Sequence, residues 1–151
     1  MISQRHYVLN LLYKFRMTEC KSVTTPLDRI LKIDASSGTA ESELTQYCQL
    51  IDSLIYLTIT RPDLSYSVNL HSQFMQKPRT LHLDCAKRIL WYVSTTMDYD
   101  IVYKSNMTIQ LEGYTDADWA GYKADRRSTS GFLFSLGSGA ISWSSKKQPT
   151  V

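Results

Sequence analysis

Leu111-Glu112-Gly113-Tyr114-Thr115-Asp116-Ala117-Asp118-Trp119 decides how this chain is to be read. It has the pattern of a strand, and near its end it delivers carboxylates. Asp116 and Asp118 lie two residues apart, so within a strand they point the same way. Downstream, 132–136 and 140–145 read as two more strands. Gly137-Ser138-Gly139 joins them as a hairpin, with glycine supplying the positive φ that a tight turn needs. Upstream, Ile101, Tyr103 and Ile109 already alternate with polar residues from about Tyr99 onward, and Ser105-Asn106 makes a turn. The second part of the chain is therefore expected to be an antiparallel meander of three to four strands.

The first part has the period of helices. Ser3 is placed to cap a first helix of about 14 residues, with Val8, Leu11, Leu12 and Phe15 as its apolar stripe. Thr24-Thr25-Pro26 ends that unit, and 34–42 is small and polar, the composition of an exposed linker. Between 44 and 58, Leu44, Tyr47, Cys48, Ile51, Leu54 and Ile55 share one helical face. Thr60-Arg61-Pro62-Asp63 marks a break and a restart, Pro62 and Asp63 suiting a first helical turn. Leu64, Val68, His71 and Met75 continue that helix until Lys77-Pro78 breaks it. Thr80 then caps a helix whose buried stripe is Cys85, Ala86, Ile89, Leu90 and Val93, with Lys87 and Arg88 facing outward. Helices first and a meander second make an α+β chain, without internal repeat, coiled coil or low-complexity tract.

Composition excludes several classes. At 151 residues the chain holds one ordinary domain or two small pieces. No apolar run approaches the roughly 18 residues of a membrane span. The start, Met1-Ile2-Ser3-Gln4-Arg5-His6, lacks the pattern of a secretory signal, so an intracellular location is the expectation. Cys20, Cys48 and Cys85 are far apart and odd in number, which suggests reduced buried thiols rather than a zinc knuckle or a disulfide framework. His6, His71 and His82 have no ligand spacing, and neither a nucleophile elbow nor a glycine-rich phosphate loop is present. A net charge of +3, spread along the chain, is compatible with nucleic acid without pointing to it. Lys87, Arg88, Lys146 and Lys147 could contact phosphates, though by type they fit a solvated face better. The aromatic set Tyr56, Tyr66, Phe74, Trp91, Tyr92, Trp119 and Trp143 has the spacing of core and interface more than of base stacking.

A carboxylate at the end of a central strand, followed by small residues and a turn, is one way to hold Mg²⁺, because a hard cation wants oxygen ligands at fixed places. Turn carboxylates with a structural role share the same pattern. The wider context is more specific. Tyr114-Thr115-Asp116-Ala117-Asp118-Trp119-Ala120-Gly121, then Asp125-Arg126-Arg127-Ser128-Thr129-Ser130-Gly131-Phe132, then Ile141-Ser142-Trp143-Ser144-Ser145-Lys146-Lys147-Gln148 closely resemble the start of the ribonuclease H domain of copia-type retrotransposon polyproteins. Thr18-Glu19-Cys20-Lys21-Ser22-Val23-Thr24-Thr25-Pro26-Leu27 and Ser53-Leu54-Ile55-Tyr56-Leu57-Thr58-Ile59-Thr60-Arg61-Pro62-Asp63 are similar to the end of the reverse transcriptase and its connection to that domain.

The resemblance implies two regions: a reverse transcriptase thumb or connection-like helical region over 1–98, and the N-terminal part of a ribonuclease-H-like meander over 99–151. Asp116 matches the first of the acids that hold Mg²⁺ in this family, and Asp118 the nearby structural residue. The remaining acids and the polymerase Tyr-x-Asp-Asp hairpin have no match here. The resemblance thus implies a non-catalytic remnant in which Asp116 is vestigial, with no cofactor of its own. Its partner would be an RNA–DNA hybrid or DNA, held weakly through Lys87, Arg88, Lys146 and Lys147. The pattern departs from the family at Asp52-Ser53, Trp91, Ser94-Thr95 and Tyr122, and the changes at Trp91 and Ser94 remove positive charge. A meander that keeps Phe132, Phe134, Ile141 and Trp143 without later helices to cover them is expected to leave an apolar face open to self-association or a partner chain. Two other readings stay open: a hybrid nuclease completed by a second chain, and a secreted RxLR-type effector-like interaction protein suppressing host cell death, for which Arg29-Ile30-Leu31-Lys32 is a near match to the motif.

Overall fold

The computed structural model describes residues 1–19, 21–28, 33, 38–39, 44–118 and 126–149. Cys20, the 29–32 motif, the linker at 34–42 apart from Gly38 and Thr39, and Trp119, Tyr122 and Asp125 lie outside the described residues. The element order is α1 (Arg5–Lys14), α2 (Leu44–Leu57), a 3₁₀ turn (Pro62–Leu64), α3 (Ser65–Ser72), α4 (Thr80–Thr95), β1 (Leu111–Ala117), β2 (Thr129–Leu136) and β3 (Gly139–Lys147). The fold is α+β, a helical layer joined to an antiparallel sheet of order β1-β2-β3.

Helix periodicity locates the helical core, with corrections. α1 is shorter than expected, and its N-cap is Gln4 rather than Ser3. Ser3 Oγ instead accepts the Arg5 N–H at 3.3 Å, while Gln4 Oε1 accepts the Thr60 hydroxyl at 2.9 Å. The buried side of α2 is Tyr47, Leu50, Ile51, Leu54 and Leu57. Leu44 and Ile55, assigned to that side by spacing, are exposed, because α3 and α4 pack on the face centred at Leu50 and Leu54. α4 buries Cys85, Ala86, Ile89, Leu90 and Val93 as expected, but Thr80 is its first helical residue and not its cap. The cap is Arg79, whose N–H donates to His82 Nδ1 at 3.1 Å while His82 N–H returns to the Arg79 carbonyl at 2.9 Å.

The break between α2 and α3 is held by a buried arginine. Arg61 is only 4% exposed. Its Nε and Nη2 donate to the two carboxylate oxygens of Asp63 at 2.9 and 2.7 Å, a forked pair. Nη1 reaches the Thr96 carbonyl at 3.0 Å and Nη2 the Thr96 hydroxyl at 2.7 Å. The guanidinium also stands over the rings of Tyr92 and Tyr99, at 5.8 and 5.3 Å. Tyr92 donates to Asp63 at 3.0 Å, and burial followed by the Asp63 charge pushes its phenol up to about 12.

Beyond α4 the strand-like alternation expected from about Tyr99 forms no strand before Leu111. Ile101 makes an isolated antiparallel bridge to Ile2, with hydrogen bonds of 2.8 and 3.1 Å. Residues 102–110 are exposed and pass beside the hairpin, where the Gln110 carbonyl accepts from Gly137 N–H at 2.9 Å. Alternation alone is not enough; a strand needs a neighbour to pair with. The sheet therefore has three strands. The β2–β3 turn has two residues, Gly137 and Ser138, and Gly137 takes φ 58°, a conformation that favours glycine. β3 lies against α3, and Trp143 Nε1 donates to the Thr58 carbonyl at 2.8 Å.

Two expected outcomes follow from this packing. Asp63→Ala strands the buried Arg61 charge and should destabilise the chain by about 3–5 kcal/mol, read as a lowered urea midpoint. An Arg61→Met, Asp63→Leu double variant, which removes both charges, should lose less. His71 is fully buried, its Nδ1 bonded to the Ser67 carbonyl at 2.8 Å and its Nε2 without a hydrogen-bond partner. Burial, with a smaller contribution from His82, lowers its pKa to about 4. The unfolded chain takes up that proton near pH 6.5 and the folded chain resists it. The stabilisation is complete above pH 6.5 and drains away toward pH 4, by up to about 1.4 kcal/mol per pH unit. Urea midpoints taken between pH 7.5 and 4.5 should fall less steeply in His71→Phe than in the parent.

Candidate functional site

The residues of chemical interest gather at the end of the sheet where β1 finishes. β1 pairs with β2 from Leu111↔Leu136 to Ala117↔Ser130, which puts Asp116 opposite Gly131. Gly131 in turn faces Ser145 of β3, and Ser130 faces Lys146. Asp116, Lys146 and Lys147 thus come to the same end of the sheet from its two outer strands. An open depression at this end is lined by Thr115, Asp116 and Ala117 of β1 and Ser130, Gly131 and Phe132 of β2.

The two carboxylates do different work. Asp118 N–H donates to the Thr129 carbonyl at 3.1 Å, and Asp118 Oδ1 accepts the Thr129 N–H in return, so this side chain closes the β1–β2 pairing one residue past the strand. Asp116 is exposed and turns Oδ1 onto the N–H of the next residue, Ala117, at 2.9 Å. Ala117 N–H points away from β2 in this register, so Asp116 covers one donor of the free edge of β1. Tyr66 of α3 approaches the same region: burial, then the charge of Asp118, raises its phenol pKa.

The four basic residues singled out by sequence fall into two groups. Lys87 and Arg88 are on α4, which packs within the helical layer. Lys87 Nζ lies 3.8 Å from Asp84. Arg88 is less outward than expected: it donates to the Thr25 hydroxyl at 3.2 Å and lies 3.9 Å from Asp28. Lys146 and Lys147 are on β3, at the same end of the sheet as the carboxylates but separated from β1 by β2. Among the described residues no group of three or more histidine, cysteine, aspartate or glutamate side chains could hold a metal ion. Cys48 and Cys85 are free thiols, and burial, then Asp84 and Asp28, raises the pKa of Cys85. Among the described residues no helix is long and apolar enough to cross a membrane.

The aromatic residues also separate. Phe74 and Tyr92 are core, and Tyr56 packs edge-on against Tyr7 at 4.9 Å. Trp143, expected on the open face, is partly covered by the helical layer. Phe132, Phe134 and Ile141 do stand exposed. Tyr103 was not singled out as a site residue, yet its ring lies over Gly139 and its hydroxyl donates to the Ala140 carbonyl at 2.6 Å. Only the pairing of the 102–110 segment with the hairpin reveals that position.

Comparison with known proteins places the chain. It belongs to the copia-type retrovirus-related Pol polyproteins of transposons. It is 47% identical over 150 residues to the Pol polyprotein from transposon RE1 of Arabidopsis thaliana, and 45% identical over 150 residues to that from transposon RE2. Each match covers 99% of this chain and 10% of the relative, so the chain spans about a tenth of the length of these polyproteins. It is also 45% identical over 106 residues to secreted RxLR effector protein 161 of Plasmopara viticola, a match covering 70% of this chain and 75% of that protein. No family model matches the chain, and no solved structure matches it.

The split between the two carboxylates is open to a direct check. Asp118→Ala should lower the urea midpoint by loosening the end of the β1–β2 pairing, whereas Asp116→Asn should leave it nearly unchanged.

Proposed function

We propose that this chain is the junction of a copia-type Pol polyprotein. Residues 1–98 form the end of the reverse transcriptase and its connection, and residues 99–151 form the beginning of a ribonuclease-H-like domain. On this reading it supports nucleic acid weakly through its basic residues, and by itself neither polymerises nor cleaves. The observation that carries the reading is the state of the carboxylates. Two-metal hydrolysis of a phosphodiester uses several carboxylates to place two dications about the attacking and leaving oxygens. Here Asp118 is spent on the Thr129 N–H, which leaves Asp116 as the one carboxylate at that end of β1 uncommitted to strand pairing among the described residues. The described residues therefore do not make up a two-metal set, and Asp116 serves as the first acid of a set completed elsewhere. One carboxylate alone holds Mg²⁺ weakly, with the ion keeping most of its water.

The test is cleavage of a labelled RNA–DNA hybrid by the purified chain in Mg²⁺ and in Mn²⁺, with Asp116→Asn alongside. Neither protein should cleave above background. Cleavage that disappears in Asp116→Asn would overturn the reading, because the missing ligands would then be supplied within this chain. The similarity to an RxLR effector favours a second reading, a secreted protein that acts by binding another protein. Recovery of the native chain from the extracellular fraction of its source would support that reading over the first.

A further inference from the structure

One histidine of the helical core is held in a single protonation state by its surroundings. His71 of α3 is fully buried. Its Nδ1 lies 2.8 Å from the Ser67 carbonyl, which can only accept, so Nδ1 carries the hydrogen and Nε2 the lone pair. Nε2 is buried without a hydrogen-bond partner. A proton arriving in acid attaches there, and the imidazolium that forms has a donor with nothing to accept it. A buried charge in that state is costly, far more so than the neutral ring.

The groups on the elements around α3 do not relieve that charge. From α2, Tyr47 gives its hydroxyl to the His71 carbonyl at 2.8 Å, and Cys48 donates to the Met75 carbonyl at 3.5 Å. From α4, His82 disfavours a charge on His71, and its own Nδ1 is taken by the Arg79 N–H. Cys85, on the buried side of α4, is kept a neutral thiol by burial. The charged pair at the 3₁₀ turn, Arg61 and Asp63, is closed on itself and on Thr96. β3 meets α3 with Ile141 to Ser145, none of which titrates. Among the described residues no carboxylate bonds the ring.

α3 stands between the helices and the sheet, packed against α2 and α4 and against β3. Its boundaries are unlike. Tyr47, Val68 and His71 are buried on the helical side, whereas an open groove of about 530 Å³ runs between α3 and β3 beside Asn69, Ser72 and Trp143. α3 is eight residues long and its N-cap makes no side-chain hydrogen bond, so packing holds it more than its own stability does. We propose that His71 is an acid trigger: on taking a proton it drives α3 out from between α2 and α4 toward the groove, and so loosens the seat of the sheet on the helical layer. That side is already open to solvent, and α3 is the shortest of the four α-helices to displace. β3 rests on α3 and the 3₁₀ turn before it, so the displacement leaves the bond from Trp143 to Thr58 to hold the sheet. α1 and the end of α4 have other anchors: Tyr7 donates to the Ser53 carbonyl at 3.1 Å, and Thr96 is tied to Arg61. Folded, His71 resists the proton to about pH 4, and a released ring takes it near pH 6.5, so opening grows as the pH falls through that interval. The trigger is independent of what the chain binds.

The experiment is hydrogen–deuterium exchange of the full chain, read by mass spectrometry at pH 7.5, 5.5 and 4.5 and corrected for the pH dependence of the intrinsic rate. Between pH 7.5 and 4.5 the protection of α3 and β3 should fall by roughly 10- to 100-fold, while α1 and the second half of α4 keep theirs. His71→Phe fills the site without a titrating group, and His71→Gln keeps a polar side chain there should the phenylalanine variant fail to fold. Either should hold the protection of α3 and β3 level across the same range. A fall of equal size in every segment of the parent would overturn the proposal in favour of acid unfolding of the whole chain. A fall at α3 that leaves β3 protected would overturn the link to the sheet. A fall at both that persists in the folded variants would put the trigger on another group, and the proposal would be wrong.

Discussion

Arg61 carries a full charge into a place where water scarcely reaches. Burying a guanidinium is costly, and the cost is offset only when its hydrogen-bonding edge is matched and a counter-charge stands beside it. Here Asp63 supplies the counter-charge two residues away, and Thr96, at the far end of α4, supplies a carbonyl and a hydroxyl. Tyr92 and Tyr99 close the arrangement with their rings. The α2–α3 corner and the C-terminal end of α4 are therefore fixed to each other through one side chain. The residues that lead on to the sheet leave from that same point. Thr58, just before the corner, gives its carbonyl to Trp143 of β3, so the seat of the sheet on the helices depends on the same corner.

The sheet divides its labour by face and by edge. One side carries the acids of β1, and Tyr66 of α3 comes close to Asp118 beyond the strand end. The other side carries the rings of β2 and the hydroxyls of β3. Period-two alternation makes such a separation inexpensive, since adjacent residues of one strand serve two surfaces without interfering. The bulge between Phe134 and Ser135 leaves Ile141 as the extra residue in β3, at the point where the hairpin bends.

Much of this architecture is legible in the sequence because helices and hairpins are local. The break at Thr60-Arg61-Pro62, the stripe of α4 and the Gly137-Ser138 turn declare themselves within a few residues, whereas α3 ends at Ser72, ahead of the expected stop at Lys77-Pro78. What stayed hidden depends on distant partners. The role of Arg61 requires Thr96, and from the sequence Arg61 reads only as part of a break. The choice of Leu50 and Leu57 over Leu44 and Ile55 requires knowing which side α3 and α4 occupy. The segment at 101–109 has the right alternation but lacks a neighbouring strand, so it pairs once, at Ile101, and then runs beside the hairpin. For the candidate site, Asp116 and the lysines of β3 are legible by type, and the family resemblance set Asp118 apart as structural. The bond from Asp118 to Thr129, by contrast, needed the register of β1 on β2.

The bridge between Ile2 and Ile101 has a mechanical meaning. Two backbone hydrogen bonds, helped by the ion pair between Arg5 and Asp98, clasp the first residues to the stretch that leaves α4. A load applied through Met1 meets this clasp before it meets α1, and at a single bridge the bonds open in turn rather than sharing the force. The clasp therefore acts as a fuse, letting tension on the amino-terminal side peel a short lead of chain while the helical core and the sheet beyond it keep their shape.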